Sequence, residues 1–592
     1  RAHKRLRRPE LFVLFYMAQA AMHQPFQNLL WKQFLVQSQA ATGMGVAEHI
    51  PFWYAPNDQE VLAQRTFFDP AWYPAIGLIV FHHILSRVNT AFLTYGLFRL
   101  ASDIEKLPFP MAPVGAQGIT ALSEQQEEES AQGRSQEGNW RWRVFSIGGV
   151  LGLSFGAVYM ALPAISGAVL DKPIQLLPIP FVDWTPKTAN YLPAVATGMS
   201  LNLGQFVLGM VLPFFAMLGA FLGFMITVVA NPILYHFRIL RSWTTSDKTI
   251  PTLFKNNLDF YFSFTIGVAV AIALAGIAQM VRSLRRRVKT AKEQQALRRD
   301  TEQDRGIPEN RGDIRGPIII GVYLLTSLAY ILVSGYLIDW HTGVMIVLFF
   351  FAFLYTPLMS YFTARLEGIA GQVIQLPLIR EAAFILSGYS GGVDVWFLPV
   401  PFADYGRRTV QYRQAELTGT SFWSIWKTEI ALVPIVLLAS IMFSQFIWGL
   451  APIPSDAYPY AQTIWELNSA NQCIIYSSTL GRFSAFQEAF RADYIFIGVG
   501  FGLVLSMLTL INVPIMMVYG VVRGLNQTLP HVVLPQFLGA LVGRFYFERR
   551  LGLKWRQYIP VVAAGFACGM GLVTVLGIGF NFLAKSVIKI PF

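Results

Sequence analysis

The chain has 592 residues, 54% of them hydrophobic and only 14% charged, with a formal net charge of +12. Soluble domains carry about a quarter charged residues, so this composition excludes an ordinary set of water-soluble domains. The apolar residues come in repeated runs close to the roughly 20 residues that cross a bilayer as a helix. Every backbone group in lipid must be satisfied internally, and runs this long and continuous read as helices, not as strands of a closed barrel.

In chain order, a basic start (RAHKRLRRPE) leads into an apolar segment at 11–35. It holds His23, Gln24 and Pro25 and is expected to be kinked. A polar stretch to residue 70 precedes a second helix at 73–100, the sequence Glu105-Lys-Leu-Pro-Phe-Pro110 and a small-residue stretch to Ser123. Residues 124–139 are acidic and read as an exposed loop. A third helix is expected at 144–165, then a connection carrying Pro173, Pro178, Pro180 and Pro186. Apolar segments at 193–212 and 214–235 flank Pro213, and a further helix covers 259–281. Residues 282–316 are a hydrophilic, basic linker between an N-terminal membrane half (1–281) and a C-terminal one (317–592). The second half has helices near 317–338, 343–362, 428–450, 494–522 and 558–584, with a shorter apolar stretch at 531–547. The expected fold is therefore an all-α polytopic membrane protein with about 11–13 transmembrane or re-entrant helices in two related halves, some of them broken by proline.

Positive charge sets the orientation. With the basic N-terminus in the cytoplasm, six crossings return the chain to the cytoplasm at 282–287 (RSLRRR). Continuing the count places Arg365, Arg407, Arg408 and Arg523 on that same side. The pair Arg549 and Arg550 joins them only if 531–547 is re-entrant, and that point stays open. The expected location is the inner (cell) membrane, multi-pass.

Two cysteines, Cys473 and Cys568, exclude a disulfide framework and a multi-cysteine metal site, and no cofactor or metal is expected. No nucleic-acid-binding motif accompanies the positive charge. P-loop, zinc-protease and paired-carboxylate signatures are absent, which argues against an enzyme.

Small residues recur at four-residue spacing: Gly148/Gly152/Gly156, Gly219/Gly223, Gly539/Gly543 and Gly565/Gly569. Their plain reading is close helix packing. Pro213, with Asn202, Gly204 and Gln205 before it, and the Asn512–Pro514 interruption mark broken helices, which transporters use at substrate sites. The halves share a weak pattern, RLASDIEKLPFP at 99–110 against RLEGIAGQVIQLPLI at 365–379. His82, His83 and Arg87 lie inside the second helix, and His83 and Arg87, four apart, share a face. Two readings of these residues stay open: a proton or anion path, or a displaced helix whose arginine snorkels to the interface.

At LPFP (107–110) the sequence resembles the oligopeptide transporter family, which includes the yellow-stripe-like metal-chelate carriers. The proline-broken stretch LPAVATGMSLNLGQFVLGMVLPFFAMLGAFLG (192–223) is similar to a helix of that family. PYAQTIWELN (459–468), VYGVVRGLNQTLPHVVLPQFLGALVGRFYFERRLGLKWRQYIPVVAAGFACGMG (518–571) and the ending KSVIKIPF look like a bacterial branch of it. The resemblance implies a secondary active transporter with homologous halves that moves peptides or similar small solutes with cation coupling, usually to protons. Family members are longer, which implies further N-terminal helices, and MAPVGAQ (111–117) departs from the family's small-residue run after LPFP. On this reading the pathway lies between the halves. Leu107, Pro108, Phe109, Pro110, Asn202, Gln205, Asn512 and Asn526 are expected to contact the solute, with Arg380 as a carboxylate partner. His83, Arg87 and Glu105 are the proton-coupling candidates. The expected partners are the lipid bilayer and a small-molecule or peptide substrate, with assembly as a homo-oligomer or in a larger membrane complex left open. The alternative is a non-transporting structural subunit of such a complex.

Overall fold

The computed structural model describes residues 6–107, 109, 112, 116, 138–169, 174–268, 270–271, 274, 311–370, 379–455, 458, 461–481, 489–508, 511, 513–525, 530–552 and 554–588. The protein is all-α and polytopic. Among the described residues, seven helices are long and apolar enough to cross a membrane. The elements that position the site are α1 (Arg8–Ala21), α2 (Gln27–Gln37), α3 (Tyr73–Arg99), α4 (Gly138–Gly156), α5 (Leu203–Val211) and α6 (Phe214–His236). They continue with α7 (Gly316–Leu337), α8 (Thr342–Phe350), α9 (Thr356–Ala370), α10 (Ile379–Leu386), α11 (Thr409–Leu417), α12 (Phe422–Leu450) and α13 (Glu466–Tyr476). The last are α14 (Ala492–Leu508), α15 (Ile515–Leu525), α16 (Pro530–Val542) and α17 (Lys554–Ile588). Short π-helical turns prolong α3 through Leu100–Ile104 and join α8 to α9 through Phe351–Tyr355.

The expected breaks fall where backbone chemistry puts them. The 11–35 segment is two helices, separated at His23–Pro25, rather than one span. Pro213 is extended (φ −57°, ψ 128°) and starts α6. The 494–522 segment divides into α14 and α15 on either side of Pro514. One expectation needs correcting: only 203–211 of the 193–212 segment is helical. Before it, Ala194 adopts a positive φ of 59°, and β1 (Val182–Asp183) pairs antiparallel with β2 (Gly198–Met199). The irregular backbone is satisfied by buried amides, since the Ala194 carbonyl accepts from Asn231 Nδ2 at 2.9 Å and from Asn256 Nδ2 at 2.7 Å.

The glycine motifs are packing seams, as their plain reading expected. A Cβ at Gly148 would stand 2.2 Å from the Val562 carbonyl of α17, and one at Gly565 would stand 2.2 Å from the Phe145 carbonyl of α4. Across α6 and α15 the same reciprocity links Gly219 to Met517 and Gly520 to Ala216. Only hydrogen at these positions lets the backbones meet, and van der Waals contact holds the pair where no hydrophobic effect operates between helices.

A second helical group, α1–α3 and α7–α13, carries the two largest clusters of buried side chains. One joins the start of α1 and the end of α3 to α11 and α12 through Phe12, Tyr95, Phe98, Tyr412 and Phe422. At this end, the Arg311 guanidinium is 2.6 Å from Asp103 and 3.1 Å from both Asp313 and Glu416. The Arg311 carbonyl also accepts from the Phe422 N–H at 2.9 Å. The start of α1, the end of α3 and the starts of α7 and α12 meet here. The other cluster, around Trp72, Trp448, Ile338 and Val344, gathers the opposite helix ends and the 46–67 loop.

A cationic, aromatic cavity between distant segments

A cavity of about 850 Å³ lies in this second group. Its wall is built from the α1–α2 break (His23, Gln24, Pro25), α2 (Asn28, Trp31, Lys32) and the loop residues Trp53 and Tyr54. The first third of α3 adds Leu78, Ile79, His82 and His83. From beyond the linker come Arg380, the 396–402 segment, Asn468, Gln472 and Tyr476. It is thus lined by residues before position 84 and after position 379, distant in the chain, and its volume is in the size range of small-molecule sites. Its location follows from the sequence. Pro25 lacks an N–H and cannot continue α1, so the chain turns there and brings polar side chains inward at a helix end.

The lining is rich in cations and aromatic rings. Among the described lining residues none is Asp or Glu. Lys32 is buried (5% exposed), and its Nζ rests 4.2 Å from the centre of the Tyr54 ring. Arg380 donates through Nη2 to the Trp396 carbonyl at 2.8 Å, and its Nε is out of solvent with no hydrogen-bond partner. Its guanidinium also lies over the Phe384 ring at 5.7 Å. His83 is buried with Nε2 unpartnered, and its ring stacks on His23 at 6.1 Å. His82 faces the Tyr330 hydroxyl at 3.2 Å. Tyr54 stacks on Phe397 at 3.9 Å, so the aromatic wall is itself rigidly packed. Chemically the cavity offers the Arg380 guanidinium, the buried Lys32 amine, side-chain amides and flat apolar faces.

Other residues singled out from sequence fall in three places. Of the proposed contacts, Arg380 and His83 line the cavity together. Arg87, one turn along from His83, is turned inward and does not snorkel. Its Nη1 is 3.2 Å from Glu429 on α12 and its Nη2 donates to the Ala20 carbonyl, while the Tyr16 hydroxyl donates to Glu429 as well. Glu105, Leu107 and Phe109 sit where the end of α3 meets α9. Glu105 is 2.7 Å from Arg365 Nε, the Phe109 N–H donates to the Gly368 carbonyl at 2.8 Å, and Phe109 is fully buried at φ 45°. The two segments with the shared Arg-Leu pattern therefore touch. Asn202 caps α5 by accepting from the Gly204 N–H, and Gln205 joins a chain in which Gln536 donates to it at 2.8 Å and Arg523 donates to Gln536 at 3.1 Å. Neither this chain nor the Pro213 and Pro514 breaks border the cavity; the break at Pro25 does. Pro108, Pro110, Asn512 and Asn526 lie outside the described residues.

Sequence reasoning missed Lys32, Tyr54, Trp396, Tyr476 and Glu429. A lysine inside the apolar run LLWKQFL was the one available signal, since an uncompensated charge at such a place marks a partner or a cavity.

No curated protein matches the chain by sequence. Residues 90–400, just over half of the chain, match the family described as OPT oligopeptide transporter protein, the family that the LPFP turn resembles. The chain is a multi-pass membrane protein of the OPT oligopeptide transporter family.

Proposed function

We propose that this oligopeptide-type transporter is a secondary active carrier that moves peptides or similar small solutes, with proton coupling, by exposing the Lys32–Arg380 cavity to one side of the membrane and then the other. The observation that carries this reading is the cavity itself: a polar site of about 850 Å³ inside a bundle of apolar helices, lined by residues distant in the chain. Arg380 and Lys32 hold the solute, and His83, whose Nε2 has no hydrogen-bond partner among the described residues, carries the coupled proton. Past the cavity, α3 rises about 1.5 Å per residue, so Arg99 is roughly 24 Å beyond His83 along the helix. The Arg87–Glu429 pair, the Glu105–Arg365 pair and the Arg311 cluster all lie along that stretch or past its end. They support a structure closed on that side, with these ion pairs as the contacts that part when the cavity changes sides. The protein resides in the inner membrane with its N-terminus in the cytoplasm.

The test is uptake into proteoliposomes of a labelled di- and tripeptide library, with blocked and unblocked termini, under an imposed pH gradient. Accumulation that an uncoupler abolishes is expected. No accumulation of any member, with or without the gradient, would falsify the reading.

A further inference from the structure

The chemistry of the cavity goes further than transport as a class. Resting on the carrier reading and deepening it, we propose that the cavity selects solutes that bear a carboxylate and lack a free ammonium group, such as N-acylated aromatic peptides, over ordinary zwitterionic peptides.

Charge balance is the first argument. Lys32 and Arg380 line the cavity, and among the described residues no carboxylate forms an ion pair with either. Glu381, which follows Arg380 on α10, and Glu429, held by Arg87 and Tyr16, are not lining residues. A charge taken out of water without a partner is costly, so a solute that brings a carboxylate satisfies groups that the protein leaves open. Arg380 is suited to this, because it lines the cavity with Nη2 anchored on the Trp396 carbonyl, which fixes the guanidinium in place.

The second argument concerns the other end of a peptide. A free N-terminal ammonium needs a carboxylate, carbonyl cluster or open aromatic face. The acidic partner is missing from the described lining, and the Tyr54 face already carries Lys32 Nζ at 4.2 Å and stacks on Phe397. Entering beside the Arg380 guanidinium and the Lys32 amine, a free ammonium meets repulsion and desolvation together. An acyl cap removes that charge and leaves a carbonyl for the amide donors Asn28, Asn468 and Gln472. The flat walls Trp31, Trp53 and Trp396 favour an aromatic side chain.

Those three tryptophans also supply the readout. The full chain, in nanodiscs of uncharged lipid, is titrated with N-acetyl-phenylalanyl-alanine, phenylalanyl-alanine and phenylalanyl-alanine amide while tryptophan emission is followed, and the same probes are tested for uptake in proteoliposomes. The expected order places the acetylated peptide at least about tenfold tighter than the free dipeptide, with the amide weakest. Arg380→Gln or Lys32→Gln should abolish the preference, whereas Arg556→Gln, on an exposed pair with Glu548, should keep it. Equal or tighter binding of the free dipeptide, tight binding of the amide, or no binding of the acetylated peptide overturns the proposal. Selective binding without flux leaves the selectivity standing and rejects the carrier reading. Equal flux of free and acetylated dipeptides keeps the carrier and rejects the selectivity.

Discussion

Arg87 on α3 and Glu429 on α12, 342 positions apart in the chain, meet at 3.2 Å inside the helical bundle, with side chains only 10% and 6% exposed. Removing one partner of such a pair strands the other charge and costs about 3–5 kcal/mol, whereas replacing both with apolar residues is close to neutral. Arg87→Met and Glu429→Met should each lower the melting temperature of the detergent-solubilised protein, and the double variant should recover most of the loss. Melting followed by loss of the monodisperse peak in size exclusion reads this. An additive double variant would show that the two charges do not act as a pair.

Glu105 and Arg365 should behave differently. Their side chains are 19% and 23% exposed, so water screens the pair and its contribution to stability is about 0–1 kcal/mol. Glu105→Gln is therefore expected to leave the melting temperature nearly unchanged. If the contact between the end of α3 and α9 parts during transport, the variant should alter the uptake rate in proteoliposomes severalfold. The swap Glu105→Arg with Arg365→Glu should restore the original rate. A large stability loss with normal uptake would assign the pair a purely structural role.

The glycine seams predict a sharper contrast. At Gly148 an added Cβ meets the Val562 backbone carbonyl at 2.2 Å, and at Gly219 it meets the Met517 carbonyl at 2.1 Å, where no side chain can swing away. At Gly571 it meets nothing within 4 Å. Gly148→Val and Gly219→Val should sharply reduce the yield of folded membrane protein, because a helix pair must be pushed apart and its packing lost. Gly571→Val should be tolerated. Equal yields for all three, measured as monodisperse protein per mass of membrane, would remove close helix packing as the role of these motifs.

These contrasts also mark what the sequence makes legible. Local chemistry carries through: apolar runs give helices, Pro25, Pro213 and Pro514 fall between helices, and glycines at four-residue spacing mark close seams. The ends of α3, α7, α9 and α12 share the layer of ion pairs around Arg311 and Glu105. Partnership across hundreds of residues does not carry through, because nothing near Arg87 announces Glu429 and nothing near Lys32 announces Tyr54 or Arg380. The segment 193–202 reads as helix from its apolar content but is irregular, with a turn at Ala194 whose carbonyl is held by the distant side chains Asn231 and Asn256 and a short strand pairing at Gly198–Met199. Composition registers how apolar a segment is, and not which distant amide completes its hydrogen bonds.

Lys32 and Arg380 should separate by function and stability. Arg380 has a structural task as well as a free donor, since its Nη2 holds the Trp396 carbonyl at 2.8 Å. Arg380→Met leaves that carbonyl without its donor and should lower both the melting temperature and uptake, the lost charge-assisted bond costing about 1.5–3 kcal/mol. Among the described residues, the contact given to the Lys32 amine is the Tyr54 ring, an interaction of about 0.5–2 kcal/mol that is offset by the cost of burying the amine. Lys32→Met, of similar length and apolar, should leave the melting temperature unchanged or raise it, while raising the KM for an anionic solute by about tenfold or more. A Lys32→Met variant that melts earlier and transports normally would place the lysine among the packing residues and leave Arg380 as the cation that the solute meets.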